Sequence, residues 1–334
     1  MPSLPSPRGP LSEALIAALP EPPHDLPAPA PPAESPLTGD DLHLALYVCY
    51  ELHYRGFDGV DHGWEWAPGL LAYRAELERR FTGGLLDALG APDGGAAPDE
   101  MDLALRAIED ADDAPSLSRR IERHATQEQV VEFLIHRSAY QLKEADPHTW
   151  VAPRLSGAPK AALVEIQADE YGGGRADRIH ARLFADAMEA LGLDSAYGAY
   201  LDRIPGVTLA TVNLMSLLGL HRRWRGAIVG HLALFEMTSS VPNRRYANGL
   251  RRLGHTDPRA LEFFEEHVSA DAVHEAIAAV DLAGGLARQE PALSADILWG
   301  ARALVLVEGA WARHVCDAWS RGVSSLRAPL GAVV

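Results

Sequence analysis

From Asp40 onward, apolar residues recur at three- and four-residue spacing almost without a break, and the two-residue alternation that a sheet needs is nearly absent. A chain patterned this way can bury its apolar stripes only by packing helix on helix. The reading is one all-α bundle of about 290 residues. The first 39 residues have another texture. They hold 12 of the 24 prolines, in runs such as Pro27-Ala28-Pro29-Ala30-Pro31-Pro32. Such composition denies the backbone its ladders and gives a disordered or polyproline leader, with room for one short helix at 12–19. The expected division is a leader over 1–39 and a helical domain over 40–334.

Within the domain, Asp40-Asp41 caps a helix running to about Arg55, and further helices are expected at 69–89 and 100–110. Thr126 and Gln129 form a capping box that opens a long helix to about Ala145, stopped by Asp146-Pro147. Helices follow at 160–169, 175–191, 206–239, 243–253, 258–286 and 292–318. No internal repeat is apparent.

Composition excludes several functions. The net charge of −16 speaks against nucleic acid and against an anionic lipid surface as partners. The longest apolar stretch, 207–235, is interrupted by Arg222-Arg223-Trp224-Arg225, read as a solvated helix face, so no membrane span is expected. Cys49 and Cys316 are isolated, which disfavours zinc-ribbon, iron–sulfur and disulfide scaffolds and suits a reducing cytoplasm. The N-terminus lacks the compact apolar core of a signal peptide. Trp64 and Trp66 lie in a Gly- and Asp-rich loop, where aromatics serve a contact or fold back onto the core.

Chemistry concentrates in His267-Val-Ser-Ala-Asp271-Ala-Val-His274, where three good ligands at i, i+4 and i+7 share one helix face. Two imidazoles and a carboxylate suit a transition metal, although a polar helix face carries the same residues without one. Other helices supply further candidates. Glu236 stands among apolar neighbours, where a lone carboxylate costs several kcal/mol unless compensated; a helix cap or an ion pair to Arg245 is the ordinary alternative. Glu144 ends the helix opened at Thr126, with Tyr140 and Arg137 one and two turns before it on the same face. In Glu170-Tyr-Gly172-Gly173-Gly174, three glycines break a helix, and His180 follows in the next; Asp177 rivals Glu170 because Asp177-x-x-His180 echoes Asp271-x-x-His274. No strand or Gly-Lys-Ser/Thr accompanies the glycines, so they are no phosphate cradle. Four carboxylates (Glu144, Glu170, Glu236, Asp271) would balance two divalent irons, and with three imidazoles (His180, His267, His274) they suit iron or manganese.

The order and spacing of these residues resemble the haem-oxygenase-like diiron oxidases and oxygenases, often labelled iron-containing redox enzymes, from about Asp41 to Trp319. The resemblance implies a seven-helix bundle of haem-oxygenase topology holding two irons in place of haem. It implies His180, Glu236, His267, Asp271 and His274 as ligands, Glu144 as the glutamate of the earlier core helix, and Glu170 as an extra carboxylate like that of N-oxygenating members. The function implied is O2-dependent oxygenation of an amine, guanidine or amino-azole nitrogen in a small biosynthetic metabolite, through a peroxo-diferric species, to hydroxylamine, nitroso or nitro products. Arg137 and Tyr140 are the candidates for orienting substrate or oxidant, against ordinary packing and salt-bridge roles. An external electron donor is required, since no flavin- or NAD-binding fingerprint occurs. The family often dimerises, and a homodimer is compatible with this reading.

Two other classes stay open: a diiron oxidase that fragments or decarboxylates an amino or fatty acid, and a non-catalytic helical protein on the same fold. True haem oxygenase would need a proximal histidine on the first helix, with His43 or His53 as nominees. It would also leave the buried acids unpaired.

Overall fold

The computed structural model describes residues 1–31 and 33–328, and for 269–273 the backbone alone. The helices are α1 (Pro10–Ala18), α2 (Asp40–Glu51), α3 (Pro68–Leu89), α4 (Met101–Asp110), α5 (Leu117–Arg123), α6 (Gln127–Gln141), α7 (Asp146–Thr149), α8 (Gly157–Glu170), α9 (His180–Ala190), α10 (Gly206–Leu220), α11 (Arg225–Met237), α12 (Ser240–Arg252), α13 (Pro258–Ala276), α14 (Gly285–Gln289) and α15 (Ser294–Ser320). No strand occurs among the described residues, and the all-α reading holds. Among them, no helix is long and apolar enough to cross a membrane.

Two apolar clusters organise the packing. The larger joins α2, α10, α11 and α15; the smaller joins α5, α6, α9, α12 and α13 with the second half of α15. α15 therefore runs through both, and α11 lies along it. Their crossing is made by two glycines. A Cβ on Gly230 would overlap the carbonyl of Ile297, and one on Gly300 would overlap that of Ala227. The helix backbones meet there with nothing between them.

Several boundaries differ from the sequence reading for identifiable reasons. The 206–239 stretch is two helices, broken at His221 and a 3-10 turn over Arg222–Trp224. The arginine-rich stretch is therefore not simply a solvated face: Trp224 is buried and stacks on Trp299 at 5.0 Å, and Arg225 pairs with Glu290. The capping box at Thr126 and Gln129 forms, but α6 ends at Gln141 rather than Ala145. α13 continues past Ala276 as a π-helix over Ile277–Gly284, a widened turn that periodicity alone does not disclose. The short α5 escaped the sequence reading. Trp64 folds back onto the core, donating from Nε1 to Glu21 O at 2.9 Å, while Trp66 is exposed.

The leader has its short helix at Pro10–Ala18, and among the described residues from there to Gly39 there is no regular structure apart from turns. Leu11, Leu15 and Leu19 are buried, and Asp41 accepts from the amides of Leu11 and Ser12 at 2.8 Å each. The leader is thus tethered to the bundle at this point, where its proline content alone suggests a tail independent of it. Three leucines at helical spacing outweigh the prolines around them.

Candidate metal centre

Glu144, Glu170, His180, Glu236, His267 and His274 come from five parts of the chain and are all buried. Each arrives for a local reason. Glu144 lies in the turn between α6 and α7, followed by Ala145 at φ 74°, the one non-glycine residue with positive φ among those described. A left-handed alanine stores about 1–3 kcal/mol of strain, which the surrounding packing must hold. Glu170 closes α8. Beyond it Gly172, Gly173 and Gly174 all adopt positive φ, and a Cβ on Gly172 would lie 2.6 Å from the Arg178 carbonyl carbon. The glycines thus let the chain fold onto its own next turn, which sets His180 Nδ1 3.0 Å from Glu170 Oε2. Glu236 sits in the last turns of α11, below the Gly230 crossing. His267 and His274 lie two turns apart on α13, with the π-helix beginning three residues after His274.

Together these residues form two overlapping groups. Ligand-type atoms of Glu144, Glu170, His180 and His267 all lie within 4.8 Å of one another, as do those of Glu170, Glu236 and His274. Glu170 belongs to both. A cavity of about 10 Å³ between them is bordered by Glu144, Glu170, Glu236, His267, Tyr140 and His148. Buried polar atoms normally find a partner. Here Glu144 Oε2, His180 Nδ1 and His274 Nδ1 make no hydrogen bond, and Glu236 Oε2 approaches His274 Nδ1 at 3.4 Å without alignment. Such a concentration of inward, unsatisfied oxygen and imidazole donors fits a metal ion, and the mixture of hard carboxylates with imidazoles fits iron.

An outer layer orients the imidazoles. His267 Nδ1 lies 2.7 Å from Phe263 O, so that nitrogen carries the proton and Nε2 faces Glu144 Oε1 at 3.5 Å. His274 Nε2 lies 3.0 Å from Asp169 Oδ2, which leaves Nδ1 turned to Glu236. A carboxylate or carbonyl behind a ligating imidazole is the usual way its tautomer is fixed. Asp169 and Phe263 O were not found from the sequence; the one available signal was that Asp169 directly precedes Glu170.

The electrostatics follow from this crowding. Burial pushes the Glu170 carboxyl up, but the imidazoles of His180, His267 and His274 outweigh it and hold the group well below the usual carboxylate range. Burial raises Glu236, reinforced by the charge of Glu170 and opposed by His274. Burial lowers His274, but Glu236 and Asp169 overcome it and bring the imidazole up to about 9. Burial, together with Glu144, Glu170 and Glu236, keeps the Tyr140 phenol protonated.

Other candidates fall outside the cluster. Asp177 is exposed and pairs with Arg175 at 3.1 Å, away from the cluster that Glu170 joins. Arg245 reaches Ser118 at 3.3 Å and supplies no ion pair to Glu236. His43 is buried against Pro36 O and Asn213, and His53 is held between Arg74 and Glu65, so neither is free to ligate haem. The Asp271 side chain lies outside the described residues. Tyr140 borders the small cavity. Arg137 stands further out, clamped by Glu308 through two bonds of 3.0 and 2.9 Å, with its guanidinium 4.0 Å above the Trp311 ring. Arg137 borders a second, larger pocket of about 240 Å³ that reaches Glu144 and His267 from outside.

Comparison with curated proteins finds no match. The model of the iron-containing redox enzyme family matches residues 131–309, more than half of the chain and a span that includes every residue of the cluster. The chain belongs to the iron-containing redox enzymes, with a buried Glu/His group in the matched region that could hold metal ions.

Proposed function

We propose that the chain is a non-haem diiron oxygenase that uses O2 and an external reductant to oxygenate an amine-type nitrogen of a small molecule. The observation that carries this reading is the double membership of Glu170: two ligand groups sharing one carboxylate are what a dinuclear site requires. Glu144, His180 and His267 would hold one iron, Glu236 and His274 the other, and Glu170 both. Asp271, three residues before His274, completes the expected set. Bound iron would supply the reduction and activation of O2.

The chain's own groups do the rest. Phe263 O and Asp169 fix the tautomers of His267 and His274, so that each presents a lone pair inward. The Tyr140 hydroxyl keeps its proton and would offer a donor at the edge of the small cavity. The Arg137–Glu308 pair holds α6 against α15 and shapes the outer pocket, a positioning role. Phe235 and Phe263 line that pocket and limit water beside Glu144 and His267.

Iron counting under anaerobic loading tests the reading. Wild-type protein should take up two irons per chain. Glu170→Ala should lower occupancy at both positions, whereas His180→Ala and His274→Ala should each weaken chiefly one. A Glu170→Ala protein that still binds two irons tightly would sink the dinuclear assignment. Incubation of the loaded protein with amines, O2 and reductant should then yield hydroxylamine, nitroso or nitro products.

A further inference from the structure

The pocket outside Glu144 and His267 differs from an ordinary mixed polar pocket in that its polar groups nearly all accept hydrogen bonds. Thr238 Oγ1 donates to Leu234 O at 2.8 Å and Ser239 Oγ donates to Phe235 O at 2.7 Å, so both hydroxyls spend their proton on α11 and turn lone pairs outward. Asn243 donates from Nδ2 to Ser239 O at 3.0 Å. Gln141 Oε1, buried and on a residue lining this pocket, has no hydrogen-bond donor at all. Glu109 and Asp112 add two further carboxylates at the rim.

Among the described residues, the one permanent cation in the lining is Arg137, and it is already engaged. Glu308 occupies its two terminal nitrogens, and Trp311 covers its face. A carboxylate entering the pocket would therefore meet mostly acceptors and other carboxylates, with Arg137 held by Glu308 and the His267 imidazole already facing Glu144. Like-charge contact of this kind costs several kcal/mol. The remaining walls are apolar and largely aromatic: Phe133, Phe184, Phe235, Phe263 and Tyr246 stand beside Leu234, Leu304 and Val305. The space is about 240 Å³.

We infer that this pocket is a binding site for a small organic cation, an ammonium, amidinium or guanidinium on an apolar body, and that it selects against molecules carrying a free carboxylate. The inference rests on the pocket's serving the site proposed above, and it narrows the substrate to carboxylate-free amines. Aromatic walls add a favourable face for the cation. Unpaired acceptors give the N–H groups partners that water would otherwise fill.

Calorimetric titration of the metal-free, full-length protein tests it without any turnover. The probes are phenethylammonium, 3-phenylpropionate and 2-phenylethanol, three ligands of similar body and different charge. Phenethylammonium should bind tightest, about tenfold or more tighter than the carboxylate. The double variant Glu109→Gln/Asp112→Asn should lose most of that preference, and Gln141→Leu should weaken the ammonium alone. Glu308→Gln, which frees Arg137, should strengthen binding of the carboxylate. Equal or tighter binding of 3-phenylpropionate by the wild type, an ammonium preference untouched by the double variant, or no binding of any probe would each overturn the inference. Iron content and oxygenated products are read separately. A chain that holds two irons and favours carboxylates would lose this inference and keep its metal centre. An ammonium-selective chain that binds no iron would keep the pocket and lose the proposed oxygenase.

Discussion

Lys143 and Glu144 are adjacent in the chain, both are buried, and they enter opposite kinds of polar interior. Lys143 Nζ lies 3.0 Å from Glu51 Oε2, the Tyr197 hydroxyl donates to the same oxygen at 2.6 Å, and the ammonium sits over the rings of Tyr47 and Tyr54. Arg55 closes that side by donating to Leu142 O and covering the Tyr197 ring. The ion pair is compensated within the fold. On the Glu144 side, carboxylates and imidazoles converge, and three buried ligand-type atoms stay without hydrogen bonds. Burial of charge alone therefore does not mark a functional site; the marker is burial that the chain leaves uncompensated.

The sharpest test of this contrast is to break each interior in turn. Lys143→Met strands Glu51 in the core and should cost about 3–5 kcal/mol of folding stability in urea denaturation. Glu144→Gln in metal-free protein should cost far less, because Glu144 Oε2 has no hydrogen bond to lose; a penalty equal to that of Lys143→Met would erase the distinction. Next in size is the response to metal. Ferrous iron at a hundredfold excess over its dissociation constant should stabilise the wild type by about 2.7 kcal/mol, and Glu170→Ala should abolish most of that gain while Lys143→Met keeps it.

Asp169→Asn should lower iron affinity about 10- to 100-fold, because it loosens His274 without removing a ligand; an unchanged affinity would make the Asp169 contact incidental. The smallest effect is one of pH. The raised His274 contributes to metal-free stability in full below the ordinary imidazole value of 6.5, and that contribution is lost as pH rises through about 9. Stability in this window should therefore fall with pH in the wild type and stay flatter in His274→Gln, whereas iron binding should strengthen as the proton leaves.

Much of this was legible in the residues themselves. Helical periodicity disclosed the class of fold, the capping box marked the start of α6, and isolated acids and histidines on apolar helices pointed to the six residues that the fold gathers. What escaped depends on three-dimensional neighbours. Asp169 and Asp177 look alike as acids near the glycines, yet one supports His274 and the other faces solvent with Arg175. Arg137 carried no sign that Glu308, far along the chain, would occupy it. The break at His221 follows from the burial of Trp224 against Trp299, a contact that no local pattern encodes. The docking of the leader's three leucines escaped for the same reason, since they matter only where a partner surface receives them.

The glycine crossing of α11 and α15 has a bearing on how a ligand gets in. Helices whose backbones touch at Gly230 and Gly300 can neither slide nor rotate past one another without colliding. Leu234 and Phe235 on one helix and Leu304 and Glu308 on the other line the outer pocket, so this side is a fixed jamb. Any widening of the pocket has to come from its other walls, among them Pro242, Asn243 and Tyr246 of α12. Substitutions at those three positions should therefore alter admission while leaving the ligand cluster in place.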